Sequence, residues 1–397
     1  MFDNVIDRQA APQSEHDKHR PKVLVLFGTR PETIKLAPII HELQTRRFRT
    51  LVVSSSQHKQ LLKPFLAALN VEVDIDLGVM RRNQSPNEVC ARVVAKLDKI
   101  LAAERPDLIL VQGDTTTTLA GALAGFNRSI PVGHVEAGLR SGNLMSPFPE
   151  EMNRRLVSQM ASFHFAATDA NRRTLIAEGV ASEKVFVTGN PVVDSLKGMT
   201  QNAACDEHVE RLIKDTAGKK RILLTTHRRE SFGAALSGNL EVIRAFVEKH
   251  DDVCVFFPVH PNPNVRAVAE EILGGHDRIH LLAPMDYSAF LSIMKACWLI
   301  VSDSGGVQEE APSLGKPLLI LRENTERPEA IHAGVAKLVG NKPGSLARML
   351  EKNYASDTWM RSVRQIANPF GDGHAAAKIV RVLEQEMAGI KVNASAA

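Results

Sequence analysis

The chain has 397 residues, with 49 Lys and Arg against 45 Asp and Glu, a formal charge of +4, and four cysteines. That length exceeds what one hydrophobic core usually serves and predicts two domains. Charge this balanced, with no long run of one sign, argues against a nucleic-acid partner and suits a small anionic ligand. Cys90, Cys205, Cys254 and Cys297 stand far apart, with no Cys-x-x-Cys pair, and no apolar stretch reaches membrane-spanning length. The expectation is therefore a cytoplasmic protein in a reducing compartment, with no metal centre and no membrane contact.

Residues 1–20 lack apolar periodicity and are expected to form a disordered extension, as is the small-residue tail after Val392. Residues 23–27 form a short apolar run ending at Gly28, followed by a helical pattern through Ile34, Ile39, Ile40 and Leu43. The unit recurs at 50–53 with a helix near 61–69, at 108–111 with a helix from Thr116, at 132–135 and at 163–166. Runs without polar alternation are buried on both faces, which predicts a parallel sheet flanked by helices. After Gly189-Asn190-Pro191 a second series follows at 222–225, 253–257, 279–282, 299–301 and 317–321. The predicted class is α/β, two doubly wound Rossmann-like domains facing a central cleft. The first spans 21–190 and the second 191–373, and a helix in 374–392 returns to the first.

Ligands of doubly wound sheets sit beyond the carboxyl ends of the strands, so the residues after each apolar run carry the information. The first run leads into Gly28-Thr29-Arg30-Pro31-Glu32 and then Lys35. One Gly is not the Gly-x-Gly-x-x-Gly loop of nicotinamide enzymes, and no Walker lysine is present, so those cofactors lose support. A turn opening a helix beside Arg30 and Lys35 suits a phosphate or pyrophosphate-linked sugar, although solvated cations on a tight turn would look the same. The 108–111 run leads into Gly113-Asp114-Thr115-Thr116-Thr117-Thr118, where a hydroxyl or Asp114 itself can cap the next helix. The following strand ends in His134-Val135-Glu136-Ala137-Gly138-Leu139-Arg140, and a Pro-rich loop delivers Glu150 and Glu151 to a helix start. Singly, each acid reads as a cap or a surface charge. Three acids at strand or loop ends on one rim are harder to dismiss in that way.

The second series supplies Thr226-His227-Arg228-Arg229-Glu230, where an imidazole can hydrogen-bond a leaving phosphate oxygen, and then Val259-His260-Pro261-Asn262. Its most specific feature is Ser302-Asp303-Ser304-Gly305-Gly306-Val307-Gln308-Glu309-Glu310. Ser304, Gly305 and Gly306 would present backbone N–H groups at a helix start, an anion site, and Glu310 one turn in can accept from ribose hydroxyls. Arg327 is a third cation near the same mouth, or a surface Arg in a polar loop.

Together the 27–32 segment, Gly113–Thr118, His134–Arg140, Ser146-Pro147-Phe148-Pro149-Glu150-Glu151, His227–Glu230 and Asp303–Glu310 resemble the bacterial non-hydrolysing UDP-N-acetylglucosamine 2-epimerases. The likeness runs from about Lys22 through Asn368-Pro369-Phe370-Gly371-Asp372-Gly373. It implies the two-domain architecture shared with one large class of glycosyltransferases (GT-B), a homodimer, and no cofactor. By resemblance, Arg30, Lys35, Asp114, Glu136, Glu150 and His227 are catalytic or position the substrate, and Phe290, Ser304, Gly305, Gly306, Glu310 and Arg327 contact UDP. Gln57, His58 and His260 match positions that hold a second, activating substrate molecule in some bacterial members. One departure is Met285, which stands where several relatives place a Gln near the uracil. It can pack on the base but cannot reproduce the amide's hydrogen bonds.

The reaction implied is inversion at C2 of UDP-N-acetylglucosamine to give UDP-N-acetylmannosamine for cell-envelope polysaccharide. The C2 hydrogen is not adjacent to a carbonyl. The family's solution is loss of UDP with removal of the C2 proton to give 2-acetamidoglucal, then re-addition with protonation from the opposite face. Carboxylates beside a diphosphate are electrostatically costly, and acid–base chemistry explains the cost. A glycosyltransferase would need an acceptor site, and no apolar-basic segment for a lipid acceptor is evident. A nucleotide-sugar sensor would leave the three acids without purpose. An epimerase acting on a further-modified UDP-sugar stays open, and a hydrolytic variant lacks its fused kinase domain.

Overall fold

The computed structural model describes residues 20–56, 65–81, 83–202, 206–226, 233–340 and 342–394. The first sheet contains β1 (Lys22–Phe27), β2 (Arg49–Ser54), β3 (Ile75–Asp76), β4 (Leu108–Gln112), β5 (Val132–Ala137), β6 (Phe163–Ala166) and β7 (Val185–Val187). The second contains β8 (Lys220–Thr225), β9 (Val253–Pro258), β10 (Ile279–Leu282), β11 (Leu299–Ser302), β12 (Leu318–Ile320) and β13 (Ala336–Leu338). Their orders are β3-β2-β1-β4-β5-β6-β7 and β10-β9-β8-β11-β12-β13, with every pairing parallel. These are two Rossmann-like lobes. In each the strand order reverses between two central neighbours, β1 and β4 in the first and β8 and β11 in the second. That reversal opens a crevice at their carboxyl ends.

The interior positions of the central strands β1, β4, β8 and β11 are apolar because helices cover both faces. Val23, Leu24, Val25 and Phe27 are fully buried, as are Leu299, Ile300 and Val301. The edge strands β3, β7 and β13 fall outside the sequence expectation. They have two or three residues each and mixed burial, and Leu338 and Val187 stay exposed. Of the helix expected near 61–69, residues 65–68 are helical, and the remainder lies outside the described residues, as do residues 1–19.

The lobes are joined through the helix Pro191–Asn202. It packs on the Arg30–Thr45 helix of the first lobe and on Tyr287–Ala296 and Gly305–Glu310 of the second. The chain then returns in the helix Ala375–Ala394, which packs against Arg30–Thr45 through buried Ile379, Val380 and Leu383. Asp194 caps that helix, accepting from the backbone N–H groups of Ala375 at 3.2 Å and Ala376 at 2.9 Å. One apolar cluster thus runs from Val25 and Ile39 through Val192 and Leu196 to Leu223 and Ile300, seating both crevices face to face.

Candidate active site

A cleft of about 820 Å³ opens where the two crevices meet. Its first-lobe wall is built from the turns after β1, β4 and β5. The Arg30–Thr45 helix opens with a reciprocal cap between Thr29 and Glu32, and the buried Glu32 carboxylate does more than cap. It accepts from the backbone N–H of Thr29 at 2.7 Å and Gly28 at 3.1 Å, and from the hydroxyls of Thr115 at 2.9 Å and Thr118 at 3.2 Å. The turns after β1 and β4 are therefore locked to each other.

Thr115, not Asp114, caps the helix Thr116–Asn127, accepting from the Thr118 N–H at 3.1 Å. Asp114 is left to face the cleft, where its carboxylate accepts from Arg154 at 2.6 Å. Burial pushes its carboxyl up, and the neighbouring Arg154 guanidinium opposes that rise. Behind it His134 donates through Nε2 to the Gly113 carbonyl at 2.8 Å. Burial drops this imidazole to about 3, so it is neutral and acts as a prop for the Gly113-Asp114 turn.

Glu136 sits at φ 65°, and the β5–β6 register slips between Val135 and Ala137. A bulge of this kind re-aims a side chain, and a left-handed non-glycine residue is retained where its surroundings over-determine it. They do so here. Glu136 accepts from Lys35 at 2.5 Å, from Asn190 at 3.0 Å and from Gln112, and Arg327 lies 3.6 Å away. Burial would raise this carboxyl, but the Lys35 and Arg327 cations outweigh it and hold Glu136 below the usual carboxylate range. At the start of the helix Glu150–Met160 two adjacent acids divide. Glu150 is half-buried on the cleft wall. Glu151 is fully buried, accepting from the Ser141 N–H at 2.9 Å and pairing with Arg154 at 3.3 Å.

The second-lobe wall has a different character. Ser304 occupies the N-cap position of the helix Gly305–Glu310, and Ser304, Gly305 and Gly306 line the cleft. A Cβ on Gly305 would lie 2.7 Å from Nη1 of Arg327, so this position is held open for the guanidinium. Arg327 is buried, its Nε donating to Glu309 at 2.5 Å and its Nη1 to Glu326 at 2.7 Å. The reading of Arg327 as a surface residue is thereby excluded. Glu310 accepts from the Tyr287 hydroxyl at 2.6 Å, and burial raises both groups. Tyr287, Phe290 and Met285 form an apolar side, and the Arg30 guanidinium lies over the Phe65 ring at 4.6 Å with Tyr287 at 6.0 Å. Two further contacts cross between lobes: Lys35 to Glu309 at 2.9 Å, and the Thr168 hydroxyl to Glu329 at 2.6 Å.

The structure brings Arg30, Lys35, Asp114, Glu136, Glu150, Phe290, Ser304, Gly305, Gly306, Glu310 and Arg327 to one cleft, with Met285 and, at an exposed rim position, His260. Gln57, His58 and His227 lie outside the described residues. Sequence reasoning missed Arg154, Asn190, Gln112, Tyr287 and Glu309 as parts of the site. Only Glu309 stood inside a motif already singled out. Among the described residues no cluster of His, Cys, Asp and Glu could hold a metal ion, and no helix is long and apolar enough to cross a membrane.

The family model described as UDP-N-acetylglucosamine 2-epimerase matches residues 41–384. The chain is 43% identical over 369 residues to the UDP-N-acetylglucosamine 2-epimerase of Yersinia pestis, covering 91% of this chain and 98% of the relative. Against the Bacillus subtilis enzyme of the same name it is 41% identical over 363 residues, covering 91% and 94%. Among solved structures, the UDP-GlcNAc 2-epimerase from Neisseria meningitidis bound to UDP-GlcNAc matches with a TM-score of 0.87 and 40% identity, over 92% of this chain and 100% of that one. The Methanocaldococcus jannaschii enzyme in complex with UDP-GlcNAc and UDP matches with a TM-score of 0.78 and 34% identity, over 92% and 99%. These relatives align over more than nine-tenths of the chain, and the chain belongs to the UDP-N-acetylglucosamine 2-epimerase family.

Proposed function

We propose that this protein interconverts UDP-N-acetylglucosamine and UDP-N-acetylmannosamine without a cofactor, by elimination of UDP to 2-acetamidoglucal and re-addition. The observation that carries this reading is the division of one cleft. Asp114, Glu136 and Glu150 stand on one wall, and a glycine turn with Arg327 stands on the other. A site that only held a diphosphate would gain nothing from three carboxylates.

In the forward half-reaction a carboxylate takes the C2 proton, the C–H electrons form the C1–C2 double bond, and the C1–O bond breaks to release UDP. In the return, a phosphate oxygen of UDP adds to C1 and a carboxylic acid protonates C2 on the opposite face. Asp114, Glu136 and Glu150 serve removal and return of that proton. Arg30, Lys35 and Arg327, with the N–H groups at Ser304–Gly306, stabilise the diphosphate as its charge develops. Glu310 is assigned to the ribose, and Phe290 with Met285 to the base. His227 is assigned to the leaving phosphate on its motif. The sequence resemblance also supports a cytoplasmic homodimer feeding envelope polysaccharide synthesis, with Gln57, His58 and His260 at a second substrate position.

The test is proton NMR of the purified protein with UDP-N-acetylglucosamine in D₂O, with no metal or cofactor added. Deuterium at C2 in both epimers is expected. A substrate that binds yet keeps its C2 proton would reject the reading in favour of an acceptor-dependent transferase or a modified sugar nucleotide.

A further inference from the structure

Glu309 lies behind the cleft wall, fully buried, and is not among the residues lining the cleft. Its carboxylate meets the Lys35 ammonium at 2.9 Å and accepts from Arg327 Nε at 2.5 Å. The same two cations face Glu136, Lys35 at 2.5 Å and Arg327 at 3.6 Å. Glu136, Lys35, Glu309 and Arg327 therefore form a closed ring of alternating charge, the first two from one lobe and the last two from the other.

The ring is fastened at both acids. Asn368 donates to the Glu309 carbonyl at 2.9 Å, and Asn190, whose own N–H is held by the Phe370 carbonyl at 2.7 Å, donates to Glu136 at 3.0 Å. The charged groups beyond the ring have partners of their own. Asp114 is paired with Arg154, Glu326 with Arg322 as well as Arg327, and Glu310 with the Tyr287 hydroxyl. None of them offers Glu309 a further cation. Burial pushes the Glu309 carboxyl up to about 7, against the pull of Arg327 and Lys35. Buried acids this close titrate together, so the charge on one sets the basicity of the other.

We propose that Glu309 is a positioning residue for the acid–base centre, acting through Lys35 and Arg327 to set the basicity of Glu136. With Glu309 ionised, the two cations are shared between two carboxylates, and Glu136 is the stronger base. With Glu309 neutral, both cations act on Glu136 alone and weaken it. The inference rests on the epimerase reading above.

The test follows C2 deuterium exchange at saturating UDP-N-acetylglucosamine from pH 5.5 to 8.5, with UDP affinity measured by calorimetry. In the unaltered enzyme the rate should rise through an ionisation near neutral pH. Glu309→Gln, fixed in the neutral form, should lose that rise and stay on the order of tenfold slower at the alkaline end, with UDP affinity within about threefold. Glu309→Asp, which keeps the charge, should restore the rise. A Glu309→Gln enzyme that keeps the near-neutral rise, or whose rate falls only as far as its UDP affinity, would overturn the proposal. If Glu309→Gln does not fold, Glu309→Asp decides alone. Its carboxylate, withdrawn from both cations, should keep the rise but slow exchange severalfold at every pH, and an unslowed rate would reject the role. Absence of exchange by the unaltered enzyme at every pH, with substrate bound, would instead refute the epimerase reading.

Discussion

The two walls of the cleft use opposite electrostatic strategies. On the first-lobe wall charge is concentrated and held: Asp114 by Arg154, Glu136 by Lys35, Asn190 and Gln112, and Glu32 by two turns at once. On the second-lobe wall the cleft meets backbone at Ser304–Gly306 and rings at Tyr287 and Phe290, and its charged groups, Arg327, Glu326 and Glu310, are buried among their own partners. Fixed carboxylates can move protons but repel a diphosphate. Neutral N–H groups at a helix start hold a diphosphate but cannot take a proton. Dividing the tasks between lobes lets one substrate meet both, and Lys35 and Arg327 are where the two systems touch.

If that division is real, substitutions on the two walls should separate turnover from binding. The largest effect is expected at Asp114→Asn, which keeps the shape and removes the charge that Arg154 balances. C2 exchange should fall by about 10²- to 10⁴-fold, the usual range for a general acid or base, while calorimetry shows UDP binding nearly as before. An enzyme close to full activity would take Asp114 out of the chemistry. Comparable losses in rate and affinity would collapse the distinction between the walls.

The second wall should respond the other way. Tyr287→Phe leaves the buried Glu310 carboxyl without its 2.6 Å donor, and an unsatisfied buried group of this kind costs about 1–3 kcal/mol. Because Glu310 is assigned to the ribose, UDP affinity should fall roughly tenfold while exchange at saturation changes little. Reduced saturated exchange with unaltered affinity would show that this wall takes part in the chemistry.

The sheets were legible because β1, β4, β8 and β11 are buried on both faces and carry no polar alternation. The edge strand β13 was not, since Ala336-Lys337-Leu338 holds one charge and one exposed Leu, and is a strand only because β12 offers it an edge. The rim acids were legible as a set. Their individual settings were not. Asp114 and Thr115 compete for the same cap, and only the packing of Thr115 against Glu32 shows which residue is released to the cleft. Neighbouring residues on a helix point about 100° apart, so Glu310 turns to Tyr287 and the cleft while Glu309 turns to Lys35. Nothing in a Gln-Glu-Glu run says which acid finds a cation 274 residues away in sequence. Asn190 read as punctuation between domains. It is that, and its amide also holds Glu136, a long-range contact that local sequence does not encode.

The smallest expected effect concerns the base. Met285 lines the cleft half-buried beside Phe290, an arrangement that covers an aromatic ring without naming it. Met285→Gln has nearly the same length and adds an amide, so one new hydrogen bond to uracil would contribute about 0.5–1.5 kcal/mol. UDP should then bind about two- to tenfold more tightly, with saturated C2 exchange unchanged. Weaker binding would mean that the thioether's packing is worth more than the amide's polarity, and unchanged binding that the base lies elsewhere on this wall. A change confined to affinity would extend the division between the walls to the far end of the nucleotide, and a change in saturated exchange would break it at its least charged point.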